Sequence, residues 1–127
     1  MELNNEIEEI LREPFFTMGV IEEQRSKEVS NHTRRVFEYS RSLTTKQGLP
    51  HRYIELTPAA APLHDIGKLG IPDGILFKPG KLSKKEFEAM QDHSAVGYFM
   101  FSHSGRDILK AAAVITCEHH EKWDGTG

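Results

Sequence analysis

The stretch Leu63-His64-Asp65-Ile66-Gly67-Lys68-Leu69-Gly70-Ile71-Pro72-Asp73 decides how this chain is read. It sets an imidazole beside a carboxylate and follows them, three residues on, with an ammonium. Adjacent side chains point in different directions, so His64 can hold one metal ion while Asp65, with two oxygens, bridges it to a second. An isolated His-Asp pair is a common surface feature, and the reading gains its weight from the residues around it. Downstream, His93 and the doublet His119-His120 fall on segments with helical apolar periodicity. Neighbours on a helix differ by about 100° in direction, so a second doublet can again address two ions. Upstream, Glu28 and His32 stand at i, i+4, one face of a helix. Glu28, His32, His64, Asp65, His93, His119 and His120 are therefore the candidate ligands, drawn from four separate segments.

Imidazole and carboxylate without thiolate suit iron, manganese or zinc better than calcium or magnesium. Cys117 precedes His119 by two residues, points away from it by helical geometry, and is expected as a small core residue. Lys68 follows Asp65 by three residues, where an ammonium either steadies a phosphate oxygen as charge develops or pairs with a nearby carboxylate. Lys78, Lys81, Lys84 and Lys85 form a basic cluster, readable as a phosphate-contact rim or as a solvated helix end. His51 and His103, beside turn residues, are read as ordinary surface histidines.

Composition narrows the partners. With 16 Lys and Arg against 19 Asp and Glu, the net charge of −3 excludes a broad electrostatic grip on DNA, so an anionic substrate must be held locally. The single cysteine excludes an intramolecular disulfide. The acidic N-terminus does not read as a secretory signal and no apolar run would span a bilayer, so a cytoplasmic chain without a membrane partner is expected.

Working outward, Leu3, Ile7, Ile10 and Leu11 predict a short amphipathic helix ended by Pro14. Residues 1–19 are read either as a connector to an upstream sensory or receiver domain or as a helix packing on its own domain, and residues 20–127 as the functional domain. A long helix is predicted from Val20 to Lys46, closing at Gly48, with Val29, Val36, Phe37, Ser40 and Leu43 inward. Thr57-Pro58 looks like a helix start, and the segment rich in glycine and proline from Gly67 to Gly80 like an irregular loop. Ser83 and Glu86 fit a capping box for a helix reaching Phe101. Ile108, Leu109, Ala112, Ile115 and Thr116 give the inner face of a last helix that delivers the histidine doublet. Strand signals are lacking, so the fold class is all-α, a helical bundle with a metal centre between helices.

Taken together, Glu28…His32-Thr33-Arg34-Arg35-Val36, His64-Asp65-Ile66-Gly67-Lys68-Leu69-Gly70-Ile71-Pro72-Asp73, Lys78-Pro79-Gly80, His93, and His119-His120-Glu121-Lys122-Trp123-Asp124-Gly125-Thr126-Gly127 resemble an HD-GYP domain, a bacterial branch of the HD metal-dependent phosphohydrolases. The resemblance implies a helical domain with two or three divalent ions, commonly iron or manganese, that hydrolyses cyclic di-GMP. It implies Glu28, His32, His64, Asp65, His93, His119 and His120 as metal ligands and Lys68 as the residue at the scissile phosphate. The expected reaction is attack of a metal-bridging hydroxide on the phosphodiester phosphorus, with Asp65 and Lys68 as its catalytic residues. Two alternatives stay open: a phosphohydrolase of another nucleotide, and a regulatory module docking on a partner such as a diguanylate cyclase. In the family the Trp-Asp-Gly-x-Gly run continues into Tyr-Pro and a helix bearing one more aspartate ligand, so this sequence is expected to be C-terminally incomplete. Apolar surface from Phe87, Met90, Phe99, Met100 and Ile115 would then be uncovered, and a homo-oligomer is expected.

Overall fold

The structure, a computed structural model, describes residues 2–27 and 31–127, with side chains from residue 6 onward. Among the described residues six helices follow one another: α1 (Glu2–Arg25), α2 (His32–Lys46), α3 (His51–Ala60), α4 (Asp73–Leu76), α5 (Lys84–Phe101) and α6 (Asp107–Glu118). Two 3-10 turns, Ala61–Leu63 and Ile66–Gly70, lie between α3 and α4. No strand occurs among the described residues, so the all-α expectation holds.

The core forms where α3 and the first 3-10 turn meet α1 and α6. Phe15, Ala59, Ala60, Leu63, Ile66, Ile108 and Ala112 bury one another there, with Leu11, Met18 and Ile115 packed at its edge. Leu63 and Ile108 are fully buried, each contributing on the order of 1.5–3 kcal/mol of transfer free energy. The alanines of α3 are small enough to let the helices close in on the metal-ligand candidates that follow directly in sequence. The α6 inner face is as expected, with Ile108, Ala112 and Thr116 buried and Leu109 and Ile115 partly so. Thr116 is fully buried without penalty because its hydroxyl donates to the Ala113 carbonyl at 2.9 Å.

Several predicted boundaries move. Pro14 does not end α1, which runs on to Arg25. Pro14 is exposed, so the one carbonyl its missing N–H leaves unbonded can turn to water. The single helix from Val20 to Lys46 is instead two, because Lys27 and Asn31 adopt positive φ of 56° and 64°. Asn31 tolerates the left-handed region and serves as the N-cap of α2, while Glu23 of α1 accepts the Thr33 amide at 2.7 Å. His32 therefore opens α2 rather than sitting mid-helix; Glu28 and Val29 lie outside the described residues. On α2, Leu43 is exposed and Thr33 and Thr44 are buried instead, Thr44 donating back to the Ser40 carbonyl. Helix α3 starts at His51, not Pro58, since the Pro50 carbonyl already accepts from Tyr53 and Ile54. Pro58 sits inside α3, which tightens into 3-10 geometry from Ala61.

The Ser83–Glu86 capping box is formed in both directions. Helices α5 and α6 pack closely because Gly97 faces Thr116: a Cβ there would lie 2.7 Å from the Thr116 Cβ.

Candidate metal centre

Four pieces of chain converge on Asp65. It sits between the two 3-10 turns, 8% exposed, against the N-terminus of α2, the middle of α5 and the end of α6. Oδ1 lies 3.2 Å from His93 Nε2 and 3.1 Å from His119 Nε2. Oδ2 lies 3.2 Å from His64 Nε2 and 3.2 Å from Lys68 Nζ. His32 joins on one side, its ring centroid 5.5 Å from that of His64, and His120 on the other, 4.1 Å from His119 and 5.1 Å from His93. Two groups of potential ligands result: Asp65, His93, His119 and His120, and His32, His64 and Asp65, with one ligand atom per residue lying within 4.8 Å of the others. Asp65 belongs to both.

The hydrogen bonds on the far side of each ring fix what faces the carboxylate. His64 Nδ1 lies 2.8 Å from the Ala61 carbonyl, His93 Nδ1 2.7 Å from Met90 O, and His119 Nδ1 3.0 Å from Thr116 O. A carbonyl only accepts, so each Nδ1 carries the hydrogen and donates, and in the neutral ring each Nε2 presents a lone pair. Three lone pairs then point at a carboxylate that is itself acceptor-only, and two of them, His93 Nε2 and His119 Nε2, are 3.1 Å apart. Acceptors at such distances repel unless positive charge lies between them, as protons or as metal ions. Protons would make neighbouring imidazoliums of rings whose centroids are only about 5 Å apart. Divalent ions suit the same donors without that crowding, so the residues present fit a metal centre.

With protons in place of metal ions, Asp65 is again the group that is kept charged. Burial opposes ionisation of Asp65, but donation from protonated Nε2 atoms of His119, His64 and His93 outweighs this and holds its carboxyl far below the usual carboxylate range. Burial disfavours charge on His64 as well, yet the Asp65 hydrogen bond and charge leave its pKa raised. His120, desolvated and beside His119 and His93, is shifted down and so favours the neutral, ligating form.

His64, Asp65, His93, His119, His120, His32 and Lys68 are thus brought together, while Glu28 falls outside the described residues. Lys68 pairs with Asp65, the carboxylate alternative of the sequence reading. His51 and His103 are exposed. Cys117 is exposed, contrary to expectation. It directly follows the fully buried Thr116 on another side of α6 and lines a cavity of about 560 Å³ that starts at His93 and His120 and is bounded by Phe87, Met90 and Lys122.

Two residues near the site went unnoticed in the sequence. Glu22 is 5% exposed, and its charge acts on His64. Arg25 donates from Nη1 to the Lys68 carbonyl at 2.8 Å. Their signal was the stripe Leu11, Phe15, Met18, Glu22, Arg25 at helical spacing: the apolar face of α1 continues inward with two charged residues.

Comparison with known proteins adds an independent line. A family model described as HD domain matches residues 29–126. A cyclic di-GMP phosphodiesterase of Thermotoga maritima is 41% identical over 126 residues, 99% of this chain and 34% of the relative. A 3'3'-cGAMP-specific phosphodiesterase of Vibrio cholerae is 38% identical over 96% of this chain and 23% of its own length. The cyclic di-GMP phosphodiesterase response regulator RpfG of Xanthomonas campestris is 36% identical over 97% of this chain and 32% of its own. The chain therefore spans about a third or less of the length of these relatives. Among the described residues no helix is long and apolar enough to cross a membrane.

Proposed function

The chain belongs to the HD domain family, and on that premise we propose that it carries a metal-dependent phosphodiesterase centre of HD-GYP type whose substrate is a cyclic dinucleotide, cyclic di-GMP foremost. The observation that supports this most strongly is the convergence of three carbonyl-anchored imidazoles on both oxygens of one buried carboxylate. His93, His119, His120 and Asp65 would hold one ion, His32, His64 and Asp65 another, and Glu28 completes the set the resemblance implies. Two or three divalent ions, iron or manganese before zinc, would supply Lewis acidity toward a phosphoryl oxygen and lower the pKa of a ligating water.

The chain's own side chains do the rest. Each Nδ1–H bond to a carbonyl locks its ring and makes Nε2 more basic. Asp65 stays ionised and gives one oxygen to each side of the centre. Lys68, its side chain 14% exposed, holds a fixed positive charge at Asp65 Oδ2, where it can meet a phosphate oxygen as charge builds there. The adjoining cavity has an apolar wall at Phe87 and Met90 and a cation at Lys122, a combination suited to a base and its phosphate, within the usual size range of ligand pockets.

Turnover of cyclic di-GMP and 3'3'-cGAMP by the chain reconstituted with iron or manganese tests the proposal. Asp65→Ala is expected to lose at least about 100-fold, since even outer partners of metal ligands are worth 10–100-fold. His51→Ala, altering an exposed residue, keeps full activity. Equal rates in the two variants would refute the assignment.

A further inference from the structure

The turn that carries Lys68 is intrinsically loose. Two of its five residues, Gly67 and Gly70, are glycines, which leave the unfolded backbone the most freedom to lose. Beside the bonds within the turn, two hydrogen bonds tie its ends, Lys68 N–H to the Asp65 carbonyl and Ile71 N–H to the Lys68 carbonyl, each at 3.0 Å. A third group reaches in from a different helix. Arg25, the last residue of α1, donates from Nη1 to the Lys68 carbonyl at 2.8 Å and from Nη2 to the Ile71 carbonyl at 3.3 Å and to Asp73 Oδ1 at 2.9 Å. Its guanidinium carbon also lies 5.7 Å from the Phe77 ring centroid. One planar fork thus spans three oxygens across residues 68–73.

We propose that Arg25 is a positioning residue for Lys68: by tying the Lys68 and Ile71 carbonyls and the Asp73 carboxylate to the end of α1, it holds the Lys68 ammonium at Asp65 Oδ2. The geometry asks for arginine in particular. A lysine keeps the charge, but its single ammonium is a point donor without the fork that divides bonds between separate acceptors. Arg25 touches neither the metal-ligand candidates nor the cavity by any of these bonds, so its effect runs through the turn. A misplacement of about 1 Å at a reacting group can lower a rate by as much as 100-fold.

The inference rests on reading Lys68 as the phosphate-facing cation, and its test separates the two. Hydrogen exchange of the metal-loaded chain is measured by mass spectrometry for wild type, Arg25→Gln and Arg25→Lys, with Arg12→Gln, which breaks the exposed Arg12–Glu55 pair, as control. In Arg25→Gln, peptides covering residues 66–73 are expected to exchange at least about 10-fold faster while those of α6 are unchanged, with Arg25→Lys only partly restoring protection and Arg12→Gln resembling wild type. Metal content stays at the wild-type level. In turnover, Arg25→Gln is expected to lower kcat about 10-fold with little change in KM, and to have no further effect in a Lys68→Ala background. Unchanged exchange over residues 66–73 would overturn the latch, and a full additional loss in Lys68→Ala would overturn its action through Lys68. Unchanged rates in Lys68→Ala itself would instead defeat the reading of Lys68, with the exchange data still deciding the latch.

Discussion

Gly67→Ala is the substitution that joins packing to chemistry most tightly. A Cβ at position 67 would lie 1.7 Å from the His93 carbonyl oxygen and 2.7 Å from the Gly97 nitrogen, where real Cβ atoms essentially never come within 3.0 Å. The atoms met are helix backbone, so no side-chain rotation relieves the clash, and α5 must part from the turn by about 1.3 Å. Overpacking of this kind costs about 1–3 kcal/mol, and the backbone contacts place it at the upper end. For a domain of this size about 3 kcal/mol corresponds to roughly 10 °C in melting temperature. The same displacement carries His93 away from Asp65, whose 3.2 Å approach leaves little slack when ligand distances tolerate only about 0.2 Å. Melting followed by circular dichroism, with metal content measured on the same samples, provides the assay. Gly74→Ala serves as control, since nothing lies within 4 Å of a Cβ there and helical alanine in place of glycine stabilises by about 0.4–1 kcal/mol. A Gly67→Ala chain that melts within about 2 °C of wild type and keeps its metal would refute the reasoning.

Glu86 is held down to about 2 by the Lys78 ammonium and by its bonds with Ser83, from an ordinary value of 4.5. A depressed carboxyl stabilises the fold fully above its unfolded pKa and loses that effect as pH falls through the folded one. The melting difference between wild type and Glu86→Gln is therefore expected to be present at neutral pH and to close between pH 4.5 and about 2; a pH-independent difference would contradict it. Phe87, Phe99 and Met100 are 55%, 66% and 45% exposed along α5, so light scattering is expected to find association between copies, and a strict monomer at high concentration would exclude it.

What could be read in advance was local. The capping box at Ser83 and Glu86 depends on two residues three apart, and the α6 face on one periodic stripe, so both survived contact with the structure. The histidine doublet and the His-Asp pair announced chemistry through residue type, independent of where the chain would fold. What could not be read depended on distant partners. Lys27 and Asn31 break the long helix without a glycine or proline to signal it, and the carboxylate that accepts the Thr33 amide in the first turn of α2 belongs to Glu23, on a different helix. Arg25 falls within the predicted Val20–Lys46 helix, and only the fold brings the carbonyls of Lys68 and Ile71 to it. For Cys117 the helical direction away from His119 reads as core, but one residue on from the fully buried Thr116 that side of the helix opens on the cavity, and only the third dimension shows that.

The central claim is that Asp65 is shared by two metal-binding groups, and ion counting tests it most directly. After anaerobic reconstitution with iron or manganese and removal of free metal, plasma mass spectrometry of the wild-type chain is expected to give two or more ions per chain. Asp65→Ala, which takes a ligand from both groups at once, is expected to fall below one. Wild-type protein that retains no transition metal, or an Asp65→Ala chain that retains as much as wild type, would contradict the account.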